Sequence, residues 1–132
     1  MSRRSDRGAW RMVAGLAALN VLSFIDRQLL VALAPLLIAD LGLSRAQVGL
    51  LVGLAFMAVY GFGTLLSGIL ADRWPRPRLI AAGLGAWSAA TALTGTASGF
   101  ASLAAWRGLV GIGEATLPPS ALSMIGDRVP SA

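Results

Sequence analysis

Residues 46–71 read AQVGLLVGLAFMAVYGFGTLLSGILA, twenty-six consecutive positions without a charged side chain, closed by Asp72 and Arg73. Roughly 20 predominantly apolar residues in a helix are enough to cross the hydrocarbon core of a bilayer. This run therefore predicts a transmembrane helix, and the rest of the chain follows from asking how often the pattern recurs. Residues 12–38 are apolar except for Asp26 and Arg27, residues 79–106 carry no charge, and residues 99–125 are interrupted only by Arg107 and Glu114. Thr94, Gly95, Thr96, Ser98 and Gly99 cluster helix breakers and small polar groups within the third run, so it must contain a turn. The reading is an all-α membrane protein with four transmembrane helices at about 11–38, 46–71, 78–97 and 100–125, preceded by a basic cytoplasmic N-terminus over residues 1–10. Ser44, with Gln47 three residues on, has the pattern of a capping box that starts the second helix.

Composition supports the bilayer as solvent. Of 132 residues 56% are hydrophobic and 13% charged, and the mean hydropathy is +0.73. A soluble domain carries about a quarter charged residues, so a soluble basic nucleic-acid binder and a disordered chain are both excluded. There is no Cys, hence no disulfide or thiol chemistry.

The net charge of +5 is explained by where the arginines fall. With the N-terminus inside, Arg3, Arg4, Arg7, Arg11, Arg73, Arg76, Arg78 and Arg128 are cytoplasmic and Arg45 alone is external, which orients both ends inward. The basic groups then face anionic inner-leaflet lipid rather than nucleic acid. The expected location is a multi-pass integral protein of the bacterial inner membrane. A cleaved signal peptide does not fit the start, because Asp26 and Arg27 interrupt its apolar stretch and Pro35 follows the small-residue site directly. Gly49 with Gly53, Gly63 with Ser67, and Ala82 with Ala86 are small-residue pairs at which helices can approach closely.

Four charges lie inside the expected spans: Asp26, Arg27, Arg107 and Glu114. Each costs roughly 2.5–3.5 kcal/mol at the bilayer centre on insertion scales, so mutual pairing is expected, with Asp26 as the partner of Arg107. Arg107 and Glu114 are seven residues apart, on one helix face but about 10 Å apart along the axis, too far for ready direct contact. A fixed ion-pair network that sets helix register is one reading. A proton or substrate relay is the other, since burial favours a protonated carboxyl and a nearby arginine opposes it. Glu114 is the better switchable acid on this reading, Asp26 having an arginine beside it in sequence. Pro118 and Pro119 remove backbone donors one turn beyond Glu114 and should loosen the helix there. With no His or Cys, no phosphate loop and no paired nucleophile and base, the chain is expected to be no enzyme and to hold no metal or cofactor.

The loop Gly68-Ile-Leu-Ala-Asp72-Arg73-Trp-Pro-Arg76-Pro-Arg78 resembles the signature loop between helices two and three of the major facilitator superfamily. Phe24-Ile-Asp26-Arg27-Gln28, the stretch from Asp40 to Leu51, and Arg107-Gly-Leu-Val-Gly-Ile-Gly-Glu114 point to its Spinster-like branch. The resemblance implies the first four helices of a six-helix N-terminal half, in a proton-coupled secondary transporter that works by alternating access on a lipid-like, lysolipid or organic-anion substrate. It places Asp26, Arg27, Arg107 and Glu114 in proton coupling, and Gly68, Asp72, Arg73, Arg76 and Arg78 in a cytoplasmic gate loop. Pro75 stands where the family usually has Gly, and Pro77 where it often has a basic residue. On this resemblance residues 11–132 form an incomplete half, expected to rely on a missing C-terminal half or on self-association. The alternative is a non-transporting four-helix membrane interaction module or a small oligomeric transporter.

Overall fold

The computed structural model of the protein describes residues 3–128, and every regular element among them is helical. Met1, Ser2 and residues 129–132, the outer ends of the expected basic segment and of the expected transmembrane half, lie outside the described residues. Seven helices form four rods. The first joins α1 (Arg3–Ala32) to α2 (Ala34–Leu41), and the second joins α3 (Arg45–Val52) to α4 (Leu54–Ala71). The third is α5 (Arg76–Thr94), and the fourth joins α6 (Phe100–Glu114) to α7 (Leu117–Arg128).

The breaks in the first and fourth rods have a local cause in proline. Pro35 cannot donate to the carbonyl of Val31, so the first rod is interrupted at Leu33, although Leu33 and Leu37 keep their bonds to Leu29 and Leu33. The rod continues to Gly42, whose φ of +63° provides the left-handed stop. The Ser44 hydroxyl then accepts from the Gln47 amide at 3.1 Å, while the Ser44 amide donates to the Gln47 side chain at 2.8 Å. Pro118 and Pro119 leave the carbonyls of Glu114 and Ala115 without their usual donors, and the fourth rod breaks at Ala115 and Thr116. The expected single helices over 11–38, 46–71 and 100–125 are thus each jointed. Helical backbone also reaches back to Arg3, into the segment expected to be only a basic tail.

Two stretches are long and apolar enough to cross a membrane on that measure alone: Arg7–Ala32 and Arg45–Ala71. The other two rods do not meet it. α6 has 15 residues before its joint, and α5 spends its first turn on Arg76, Pro77 and Arg78.

Glycine brings the rods together. A Cβ on Gly113 of α6 would lie 2.7 Å from the Gly83 carbonyl oxygen and 2.8 Å from the Trp87 amide nitrogen on α5, so backbone meets backbone at this crossing. α5 buries Leu79, Gly83, Trp87 and Ala90 and leaves Ala82 exposed, one residue out of register with the expected Ala82–Ala86 pair. Gly63 faces Ala115, and Gly63 and Ser67 are both buried, in line with the small pair expected there. Phe56, Trp87, Ala90 and Val110 form the core beside this crossing, and Leu43, Val48, Leu51 and Leu103 form a second core under the α2–α3 turn. α1 is the least embedded rod, with Leu16, Ser23 and Leu30 its buried residues.

Candidate functional site

The first rod is held to the fourth by two crossed ion pairs. Arg107 on α6 donates from Nη1 to Oδ2 of Asp26 on α1 at 3.1 Å. Arg27, the next residue on α1, donates from Nε to Oε2 of Glu114 at 3.0 Å, with Nη2 2.9 Å from the same oxygen. Adjacent positions on one helix project about 100° apart, so Asp26 and Arg27 reach two levels of α6 that are two turns apart. Arg107 and Glu114 do not pair with each other; each is matched from α1. The arginine beside Asp26 in sequence serves Glu114, which reverses the sequence-based argument that it belongs to Asp26.

Burial is uneven across the four groups. The Glu114 side chain is fully buried, Arg107 and Asp26 nearly so, and Arg27 is 37% exposed. Arg27 also donates to the Ser23 hydroxyl at 3.4 Å, and Thr91 of α5 lies 3.5 Å from Asp26 Oδ1. Among the described residues three buried side-chain polar atoms lack a hydrogen-bond partner, and two of them belong to these groups, Arg107 Nε and Glu114 Oε1; the third is Ser120 Oγ. Beside Arg27 and Glu114 is a cavity of about 120 Å³ bordered by Asn20, Ser23, Tyr60 and Pro118. The joint of the fourth rod lies just beyond Glu114, at buried Ala115 and Thr116.

The aromatic members of the site were not singled out from the sequence. Arg27 Cζ lies 4.4 Å from the Tyr60 ring centroid and 5.3 Å from that of Phe56, and Arg107 Cζ lies 4.8 Å from the Phe56 centroid. The available signal was their four-residue spacing, which puts both on one face of α4.

At the expected cytoplasmic end, Gly68 is half-buried on α4, and Asp72, Arg73 and Arg78 are exposed. Arg76 forms an ion pair with Asp127 of α7, a partner the sequence reading did not name. Among the described residues Asp72, Arg73 and Arg78 make no ion pair. Of the gate-loop residues, Asp72, Arg73 and Arg76 border an open cavity of about 490 Å³ that Met124 and Asp127 close on the α7 side.

Comparison with known proteins places this architecture. The Major Facilitator Superfamily profile matches residues 16–132, and the chain belongs to that family. It is 32% identical over 121 residues to Protein spinster of Drosophila melanogaster, covering 92% of this chain and 20% of that protein. It is 34% identical to an MFS-type efflux pump of Mycolicibacterium smegmatis, with 90% of this chain and 28% of the relative aligned. For the hexuronate transporter of Bacillus subtilis the identity is 31%, with 84% and 26% aligned. The chain thus spans between a fifth and somewhat over a quarter of the length of these relatives, and the second and third of them are named as transport proteins, not as enzymes. No solved structure matches it significantly.

Proposed function

We propose that the four rods are the first four membrane crossings of a proton-coupled secondary transporter for an organic anion, lipid-like or small, with both ends of the described chain cytoplasmic in the inner membrane. The observation that carries this reading is Glu114: a fully buried carboxylate with one oxygen held by Arg27 and the other unpartnered beside a small cavity. A buried acid without full satisfaction is costly in a membrane and marks a site of function by default.

A proton taken up at the free Oε1 neutralises Glu114 and weakens its hold on Arg27. The guanidinium, a third exposed and facing the cavity with Asn20, Ser23 and Tyr60, is then available to the anionic group of a substrate. The name of the hexuronate transporter supports an anionic solute, and the lipid-like alternative rests on the Spinster-like resemblance of the sequence motifs alone. With the Glu114 pair loosened, α1 is tied to α6 chiefly through Asp26 and Arg107, which favours rocking at that seam. Alternating access further needs a second repeat to rock against. The exposed apolar face of α4, with Phe62, Leu65, Leu66 and Ile69, is a surface for one to cover, and asp-to-arginine contacts of the gate loop would follow from the same docking.

The test is reconstitution of the full-length natural polypeptide carrying this sequence into liposomes with an inward proton gradient, with uptake of labelled glucuronate and of a lysophosphatidylglycerol. Gradient-driven accumulation of one of them is expected, with Glu114→Gln losing accumulation while keeping exchange. Undiminished accumulation by that variant removes the reading.

A further inference from the structure

The two ion pairs share one neighbour that is neither charged nor polar. Phe56 of α4 is 5% exposed, and both guanidinium groups lie within about 6 Å of its ring centroid, the range over which a cation is attracted to an aromatic face. The ring is hemmed in. A Cβ on Gly111 of α6 would come within 3.3 Å of Phe56 Cε2, so only glycine there lets the ring sit where it does without displacement. One turn along α4, Tyr60 stacks on it with centroids 6.0 Å apart and planes at 19°, and also meets Arg27.

We infer that Phe56 is a positioning residue whose ring, seated against both Arg27 and Arg107, ties the Asp26–Arg107 and Arg27–Glu114 pairs into one unit, so that breaking either loosens the other. The charged and titratable groups around it are few. α1 contributes Asp26 and Arg27, α4 contributes Tyr60, and α6 contributes Arg107 and Glu114, while α5 presents Thr91 to Asp26. If Asp26 loses its charge, Arg107 keeps the ring as its remaining attractive neighbour at the site. It can settle further onto that ring only by changing the seat that Arg27 shares. The consequence for transport rests on the function proposed above, but the coupling itself does not, and it is measured without any substrate.

The 132 residues contain no cysteine, so with any cysteine elsewhere in the polypeptide replaced by serine, Ser23→Cys is a single reporter at a buried position on the cavity beside Arg27 and Glu114. Its rate of reaction with a small methanethiosulfonate reagent, in the reconstituted protein, reads how far α1 has opened from α6. Adding Asp26→Asn should speed labelling on the order of tenfold, within the coupling that contacting residues show in double-mutant cycles. In the Phe56→Leu background, which keeps apolar bulk but has no π face, the same addition should change the rate less than about twofold, and in Phe56→Tyr the full effect should return. A purely space-filling role predicts no such split between Leu and Tyr. Phe56→Met, which likewise keeps apolar bulk and has no π face, gives a second route to the same loss if Phe56→Leu does not fold. Equal acceleration by Asp26→Asn with and without the ring, or none in the parent, overturns the inference. Failure of Glu114→Gln to impair uptake instead strikes the transport reading and leaves this result standing.

Discussion

Replacing Asp26 by Leu isolates what the buried ion pair does for stability. Arg107 is 6% exposed at its side chain, holds Asp26 at 3.1 Å, and already leaves Nε without a partner. Removing the carboxylate therefore strands a cation in an apolar seam, and breaking a buried pair in this way costs about 3–5 kcal/mol. The Phe56 ring stays beside Arg107 after the change and draws the guanidinium closer, which offsets only part of the attraction lost with the carboxylate. Thr91 sits at the limit of hydrogen-bonding distance from Asp26 and adds little. The folded-to-unfolded ratio should fall by roughly a hundredfold to a few thousandfold, at tenfold per 1.4 kcal/mol. The double variant Asp26→Leu/Arg107→Met takes both charges away and should return to within about 1.5 kcal/mol of the parent, because apolar replacement of a buried pair is often neutral. Unfolding by dodecyl sulfate in mixed micelles, followed by the loss of helical circular dichroism, measures both. If the double variant is as unstable as the single one, lost volume and not a stranded charge sets the cost, and the argument fails.

Gly113→Ala should destabilise the protein by about 1–3 kcal/mol despite the gain in helix propensity, since its Cβ would meet backbone atoms of Gly83 and Trp87 that cannot rotate away. Gly108→Ala, on the same helix with nothing within 4 Å of its Cβ, should be neutral or stabilising in the same unfolding titration. Ser44→Ala removes the acceptor for the Gln47 amide and should cost about 1 kcal/mol, seen as faster hydrogen exchange at the start of α3. An impermeant thiol reagent added outside intact cells should label Ser44→Cys and spare Pro77→Cys, and the reverse pattern would contradict the arginine-based orientation.

The legibility of the fold follows the range of the forces involved. Where the helices run was readable because solvent selects apolar length residue by residue, and the Ser44–Gln47 cap and the effect of Pro118 and Pro119 depend on positions no more than four apart. The joint before Pro35 has the same local cause, yet it fell inside a continuous apolar run in which hydropathy gives no sign of a break. On α5 the sequence pointed to Ala82 and Ala86, whereas Gly83 and Trp87 are buried. Small residues abound on every face of that helix, and only contact with α6 chooses among them.

For the site, sequence alone singled out the four charges, because a charge inside an apolar run must be compensated whatever the fold. It also supplied the Asp26–Arg107 pairing as an expectation. Tertiary structure decided that Arg27 serves Glu114, that Phe56 and Tyr60 carry both guanidinium groups, and that Arg76 meets Asp127. The two ion pairs join residues 87 and 51 positions apart, and their geometry depends on how the helices are rotated about their own axes. For α5 and α6 that rotation is set by the fit of glycine against backbone at Gly83 and Gly113, a property of two surfaces together that neither segment of sequence contains by itself.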